Sequence, residues 1–281
     1  MRMEDLDHPR DKPGAARAAT DDLRWLGFDW DGEYVQSERK PLYRSALDYL
    51  VAQGLAYPCT CSRKDVESAQ SAPHAGEQLH YPGTCRGRFR SWAEACAALG
   101  GARLPCWRFA VAPETTVSFD DAFAGTFSQD VSRTLGDFPL ARDEGGAGYT
   151  LACTVDDMLM GVTEVVRGDD LLPATPAQIL LAEALRDWAP ARPFRPMSYF
   201  HVPLVVGADG KRLAKRHGDT RIATYRAAGR RPEEILGFLA ASCGWAKEGE
   251  SVSLAELRSR FDPSTISHRP FVLSTGAVSC R

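Results

Sequence analysis

No run of ~18 or more uncharged apolar residues occurs in this 281-residue chain, which excludes a membrane-spanning helix. The first ten residues, Met1 to Arg10, contain no apolar h-region, which argues against a secretory signal. Charge of one sign is also scarce. The 34 Lys and Arg against 37 Asp and Glu leave a formal net charge of −3, so no global field points to nucleic acid. Any RNA contact has to rest on local Lys/Arg patches. There is no internal repeat and no long low-complexity tract. Two phosphate-binding glycine patterns are missing: G-x-x-x-x-G-K-[ST], and G-x-G-x-x-G after a strand. Their absence disfavours a Walker-type NTPase and a dinucleotide-binding dehydrogenase.

The residues present have an ordinary globular balance, 44% hydrophobic and 25% charged. The length fits two domains or one elaborate α/β unit. Eight cysteines without a signal peptide suit metal ligation or catalysis better than a disulfide scaffold, and the expected compartment is the cytoplasm. Helical spacing covers 14–27 and, more clearly, 41–54, where Pro41 suits the first turn and Leu42, Ala46 and Leu50 share a face. From Pro58 to about Arg90 the chain is rich in Gly, Pro, Ser, His and Cys, which predicts a metal-stapled loop. Short strands are expected at Trp107–Val111, Thr116–Phe119, Phe138–Arg142, Tyr149–Val155 and Thr163–Val166, with an apolar strand at His201–Val206. Thr175-Pro176-Ala177-Gln178 predicts a capping box ahead of a helix. The C-terminal fifth reads as helical, with starts at Pro232 and at Ser253, the latter capped with Glu256. Strands alternating with helices indicate an α/β core with a helical appendage.

Four constellations carry chemistry. Arg2-Met3-Glu4-Asp5-Leu6-Asp7 reads either as a solvated loop or as a strand end presenting carboxylates to a ligand amine. Cys59-x-Cys61, followed after nineteen residues by Tyr81 and then by Cys85, supplies soft thiolates suited to tetrahedral zinc. Three unrelated buried cysteines is the alternative, which leaves the polar, Gly/Pro-rich setting unexplained. Chemistry alone favours His80 over Tyr81 as the fourth ligand, and no His-Glu pair accompanies the site to activate water, so the metal is expected to be structural. Tyr149 and Arg167 each fall at an expected strand end. Arg167 suits a bidentate grip on a carboxylate, or a plain salt bridge with a neighbouring Asp. Lys211-Arg212-Leu213-Ala214-Lys215-Arg216-His217 follows a strand and turn, which fits phosphate binding or a solvated basic loop.

Taken in order, these constellations resemble the class I glutamyl-tRNA synthetase family, and within it the shortened glutamyl-Q tRNA(Asp) synthetases. Arg2-x-Glu4-Asp5-x-Asp7-x-Pro9-Arg10 resembles the family's R-x-E-D-x-D-x-x-R strand end. The block from Tyr149 to Arg167, with Val155-Asp156-Asp157 and Gly161-Val162-Thr163, resembles its glutamate-binding block. Arg212 to Arg216 resembles its K-[ML]-S-K-[SR] loop. The resemblance implies a Rossmann-type class I nucleotide-binding fold, N-terminally incomplete, with a zinc-containing insertion and a C-terminal helical stem-contact-like region. The implied divisions are 1–56 and 137–228 for the core, 57–136 for the insertion and 229–281 for the helices. It puts Tyr81 ahead of His80, giving Cys59, Cys61, Tyr81 and Cys85 as zinc ligands. It assigns Glu4 to the glutamate α-ammonium, Tyr149 and Arg167 to the side-chain carboxylate, and Lys215 to catalysis. Lys215 with Arg212, Leu213, Ala214 and Arg216 forms the ATP loop, with Mg²⁺ accompanying ATP. The implied reaction is activation of glutamate to glutamyl-adenylate and transfer to queuosine at the wobble position of tRNA(Asp), by a monomer without membrane contact. The alternatives are a fragment that charges tRNA(Glu) at its 3′ end, and an inactive zinc-stabilised RNA- or glutamate-binding paralogue. Two departures stand out: Ala214 replaces the loop serine, and no H-I-G-H-like helix start or preceding glutamate-binding turn is found, so Met1 aligns inside the family's second strand.

Overall fold

The computed structural model describes residues 1–6, 13–69, 79–142, 146–188, 190, 196–213 and 221–273. The chain opens with β1 (Arg2–Met3), α1 (Ala15–Trp25) and β2 (Tyr34–Val35), a parallel pair joined through a helix. Next come α2 (Lys40–Ala52), β3 (Ala56–Cys59), α3 (Arg63–Ala69), α4 (Trp92–Leu99) and β4 (Cys106–Phe109). A hairpin follows, β5 (Thr116–Asp121) with β6 (Gly125–Asp130), then α5 (Val131–Thr134) and β7 (Pro139–Ala141). The third quarter holds α6 (Tyr149–Met160), β8 (Glu164–Gly168), α7 (Thr175–Ala184), β9 (Ser198–Val202) and β10 (Val205–Gly207). The C-terminal part carries α8 (Ile222–Ala227), α9 (Pro232–Ser242), α10 (Leu254–Arg260) and β11 (Phe271–Leu273).

Two sheets position the site. A four-stranded sheet runs β6-β5-β9-β8; β9 is parallel to both neighbours, and α7 makes the crossover from β8 to β9. A three-stranded antiparallel sheet, β3-β4-β7, carries Cys59 at the end of β3. The main core gathers Tyr43, Leu47 and Leu50 from α2, Trp107 and Phe109 from β4, Leu140 from β7, Leu151 and Val155 from α6, and Leu181 from α7. Aromatic stacking reinforces it, with Trp92 against Trp107 at 5.2 Å and Phe109 against Phe138 at 5.0 Å. Polar staples cross it too. Buried Asp156 accepts hydrogen bonds from Gln36 (3.0 Å), Arg39 (2.7 Å) and Tyr43 (2.9 Å), tying α6 to α2 and the turn before it. No described helix is long and apolar enough to cross a membrane.

The largest local difference from the sequence expectation is 149–155. The segment is the start of α6, not a strand. Its β-branched Thr150, Thr154 and Val155 favour a strand locally, but Leu151, Val155 and Met158 recur at helical spacing and all are buried. Packing of that stripe overrides the weak propensity, and Gly161 closes the helix in the left-handed conformation at φ 69°. The strand expected over 201–206 is divided. Pro203 has no N–H to continue the ladder, so β9 ends at Val202 and β10 pairs in parallel with β11. The loop expected from residue 58 holds the last residues of β3 and a short helix, α3. Thr175 forms no capping box: Ala174 occupies the cap of α7, Thr175 is its first helical residue, and the Thr175 hydroxyl accepts from Arg167. Ser253 and Glu256 do form the expected box on α10. The strand β6, with the polar sequence Gly-Thr-Phe-Ser-Gln-Asp, carries little β signal and is held by pairing with β5.

Candidate active site and thiol cluster

The side chains of the third constellation meet at the carboxyl ends of the parallel strands, the place where open α/β sheets bind ligands. Arg167 lies in β8 directly opposite His201 in β9. Its Nε donates to His201 Nε2 at 3.0 Å. Its Nη2 donates to Thr175 Oγ1 at 2.7 Å and to Gln178 Oε1 at 2.8 Å, both from α7. Its Nη1 approaches the Tyr149 hydroxyl at 3.4 Å, at the start of α6. His201 Nδ1 is 2.6 Å from Asp121 Oδ2 at the end of β5. Burial opposes ionisation of Asp121, but the N–H groups of Ala124, His201 and Phe123 and the His201 ring hold its carboxyl below the usual range.

Glu4 lies just beyond β1 and joins the same region. It accepts from Arg2 Nη2 at 3.0 Å and from the Cys153 thiol at 3.4 Å, one turn along α6 from Tyr149. Burial, with Cys153 and Glu4 close by, pushes the Tyr149 hydroxyl up. Asp157 ion-pairs with Arg2, which anchors β1 on α6. The structure therefore brings Glu4, Tyr149 and Arg167 together. It also shows that the Arg167 guanidinium is held by Thr175, Gln178 and His201 rather than by a neighbouring Asp. From sequence, Thr175 and Gln178 read as a capping box and His201 as a strand start, and neither these three nor Asp121 are placed in the site. The lone polar His201 inside an apolar strand is the one signal that could have found any of them.

The basic loop begins after the turn that closes β10, where Gly210 N–H donates to Gly207 O at 2.9 Å. Arg212 pairs with Asp170 at 3.0 Å, and Leu213 is the last described residue before 221. Ala214, Lys215 and Arg216 lie outside the described residues, as do Asp7, Pro9 and Arg10.

A second polar centre sits at the end of β3. The Cys59, Cys61 and Cys85 sulfurs lie within 4.8 Å of one another. Cys59 occupies the last position of β3, Cys61 follows in the turn, and Cys85 comes from the 79–90 turns. The Tyr81 oxygen stands among them, 3.2 Å from Cys59 Sγ and 3.5 Å from Cys61 Sγ, and accepts the Cys85 N–H at 2.9 Å. His80 points elsewhere, its Nε2 3.1 Å from the Ser132 carbonyl. A hydrogen bond from Cys106, with further ones from Tyr81 and the Cys61 N–H and the Arg108 guanidinium at 3.3 Å, holds the Cys59 thiol well below its ordinary range despite burial. Tyr81 is fixed by backbone as well. It bridges to Gly136, whose φ is 64° and where a Cβ would fall 2.1 Å from the Tyr81 carbonyl oxygen, so only glycine fits.

A polar cradle at the carboxyl ends of parallel strands, closed by a crossover helix, defines an α/β catalytic domain of the class I synthetase type. The sequence model of the catalytic domain of class I tRNA synthetases (E and Q) matches residues 1–275, and the chain belongs to that family of ligase-type enzymes. Among its relatives is a glutamyl-Q tRNA(Asp) synthetase of Symbiobacterium thermophilum, 44% identical, with the match covering 96% of this chain and 84% of that protein. A glutamyl-Q tRNA(Asp) synthetase of Rhodopirellula baltica is 43% identical over 89% of this chain and 76% of that protein. The fold also matches the solved structure of a glutamate tRNA ligase from Elizabethkingia meningosepticum in complex with its amino acid, with a TM-score of 0.77 and 24% identity. That match covers 98% of this chain and 60% of the ligase.

Proposed function

We propose that this chain activates glutamate with ATP and transfers the glutamyl group to queuosine at the wobble position of tRNA(Asp). The observation that carries the reading is the 39–44% identity to several glutamyl-Q tRNA(Asp) synthetases over most of the chain. The cradle around Arg167 supports the first step. Arg167, with Tyr149 at its Nη1 side, grips the glutamate side-chain carboxylate, and Glu4 holds the α-ammonium. The cationic Nη1 tip and the Tyr149 hydroxyl present donors that favour anionic oxygens and reject glutamine, whose amide leaves donor facing donor. The glutamate α-carboxylate then attacks the α-phosphorus of ATP, and pyrophosphate leaves. Lys215, with Arg212, Leu213, Ala214 and Arg216 in its loop, stabilises the charge that builds on the phosphates. Mg²⁺ enters with ATP rather than in a protein cage.

Cys59, Cys61, Cys85 and Tyr81 fit a structural Zn²⁺: three soft sulfurs and one oxygen converge on one point, and His80 turns away. The metal would staple the turns of the insertion and take no part in the reaction. In this reading 1–56 and 137–228 form the core, 57–136 the zinc-bearing insertion and 229–281 a stem-contact region of a cytoplasmic monomer.

The test is transfer of labelled glutamate with the position of the label mapped. Label on the wobble base of queuosine-bearing tRNA(Asp) is the expected result. Label on the 3′ ribose of tRNA(Glu) would establish the ordinary ligase reaction instead, and no glutamate-dependent ATP–pyrophosphate exchange would mark a binding protein.

A further inference from the structure

We propose that Asp121 and His201 are positioning residues for substrate selection, locking the Arg167 guanidinium through a single imidazole tautomer. The proposal rests on the assignment of Arg167 to the glutamate carboxylate. The contacts have a fixed direction. Arg167 Nε can only donate, so His201 Nε2, 3.0 Å away, presents its lone pair. The ring proton therefore sits on Nδ1 and is donated to Asp121 Oδ2 at 2.6 Å. Both side chains are fully buried. Asp121 is itself clamped by the N–H groups of Phe123 (3.0 Å), Ala124 (2.7 Å) and His201 (3.1 Å). The opposite tautomer would set a ring N–H against the guanidinium N–H and leave a buried carboxylate facing a lone pair.

With Nε on His201 and Nη2 on Thr175 and Gln178, the guanidinium is held along one edge and one tip. Its Nη1 tip is thereby aimed toward the Tyr149 hydroxyl, the side on which Glu4 acts. The arrangement is an acid–imidazole pair whose third member is a substrate-binding cation rather than a nucleophile; the acid selects the tautomer, and the tautomer orients the partner. The Thr175 hydroxyl also reaches His201 Nε2, at 3.1 Å, and can donate to its lone pair alongside Arg167 while accepting from Arg167 Nη2, so it supports the same tautomer. Phe119 on β5 has no donor or acceptor. Tyr199, on β9 with His201, stacks on the ring at 6.1 Å, and burial pushes its hydroxyl up to about 12.

The test uses the full chain. L-Glutamate and ATP dissociation constants are measured by calorimetry for wild type, Asp121→Asn, His201→Leu and His201→Gln, and the His201 tautomer is read from ¹⁵N ring shifts without ligand. The expected tautomer carries its proton on Nδ1. Asp121→Asn and His201→Leu should weaken glutamate about 10- to 100-fold, the size expected for losing a hydrogen bond to a charged group, with ATP affinity unchanged. His201→Gln restores an acceptor near Nε2 and should recover most of that loss. A ring protonated on Nε2 overturns the proposal, as does a folded His201→Leu that binds glutamate like wild type, or equal losses for glutamate and ATP. Should His201→Leu fail to fold, the wild-type tautomer and Asp121→Asn decide. Wild type that binds no glutamate, whatever its tautomer, refutes instead the assignment of Arg167 to glutamate.

Discussion

The thiol cluster and the Arg167 cradle are both polar centres beside the apolar core, and they are assembled in opposite ways. Cys59, Cys61, Tyr81 and Cys85 lie within 27 positions and reach one another through turns. Arg167, Tyr149, Thr175, His201 and Asp121 come from β8, α6, α7, β9 and β5, and only pairing of the strands brings them together. The cluster is held by its sulfur contacts, the Cys85 N–H on the Tyr81 oxygen and the backbone bridge of Tyr81 to Gly136. The cradle is over-determined, since each donor of the guanidinium edge already has an acceptor. The contrast teaches that a centre made from turns close in sequence leaves room for a ligand to add rigidity, whereas one tied across strands and a crossover helix is rigid beforehand.

Substitutions can break that contrast. The largest effect is expected for Cys61→Ser: zinc per chain, measured by mass spectrometry, should fall from one to near zero. The chain should lose about 4 kcal/mol or more by calorimetric unfolding. Equal stability with and without chelator would show that the cluster is self-sufficient. Next comes Arg167→Lys, which keeps the charge and loses the planar set of donors. Glutamate binding should weaken about 100-fold and discrimination against glutamine should fall with it, while melting temperature drops because His201, Thr175 and Gln178 lose a donor. Tyr81→Phe should lower zinc affinity by about tenfold in competition with a chromophoric chelator, while His80→Ala should leave it unchanged. Full zinc affinity in Tyr81→Phe would bring His80 back as ligand.

The smallest effect is a pH dependence confined to the cradle. Asp121 has a folded pKa below its ordinary 3.8, so its stabilisation is fully present above that value. It is lost as pH falls below 3.8 through the folded value. Melting temperature followed from about pH 5 to pH 2 should therefore drop less steeply in Asp121→Asn than in wild type. An identical acid limb would remove Asp121 from the account.

Legibility in the sequence follows the same division. Helix α2, the capped start of α10 and strands β4, β5 and β8 were visible because each carries its own period or cap within a dozen residues. Tyr149–Val155 misled because β-branched residues speak for a strand locally, while the burial of Leu151, Val155 and Met158 against α2 and α7 settles the matter only in three dimensions. Arg167 was visible as a carboxylate grip, but its supports were not, since Asp121 and His201 are 80 residues apart and neither stands in a motif.

The sequence by itself determined the family resemblance and the thiol spacing, and through that resemblance it named the residues proposed to face glutamate. It could do so because spacing within a short segment constrains which atoms can meet. Which way Arg167 points, which ring nitrogen faces it and which residue stands among the three sulfurs were decided by tertiary structure. Those depend on the parallel register of β8 with β9, on the crossover of α7, and on a glycine at 136 that lets Tyr81 approach. Register and crossover are long-range pairings, fixed by burial of whole faces, and no local pattern of residues encodes them.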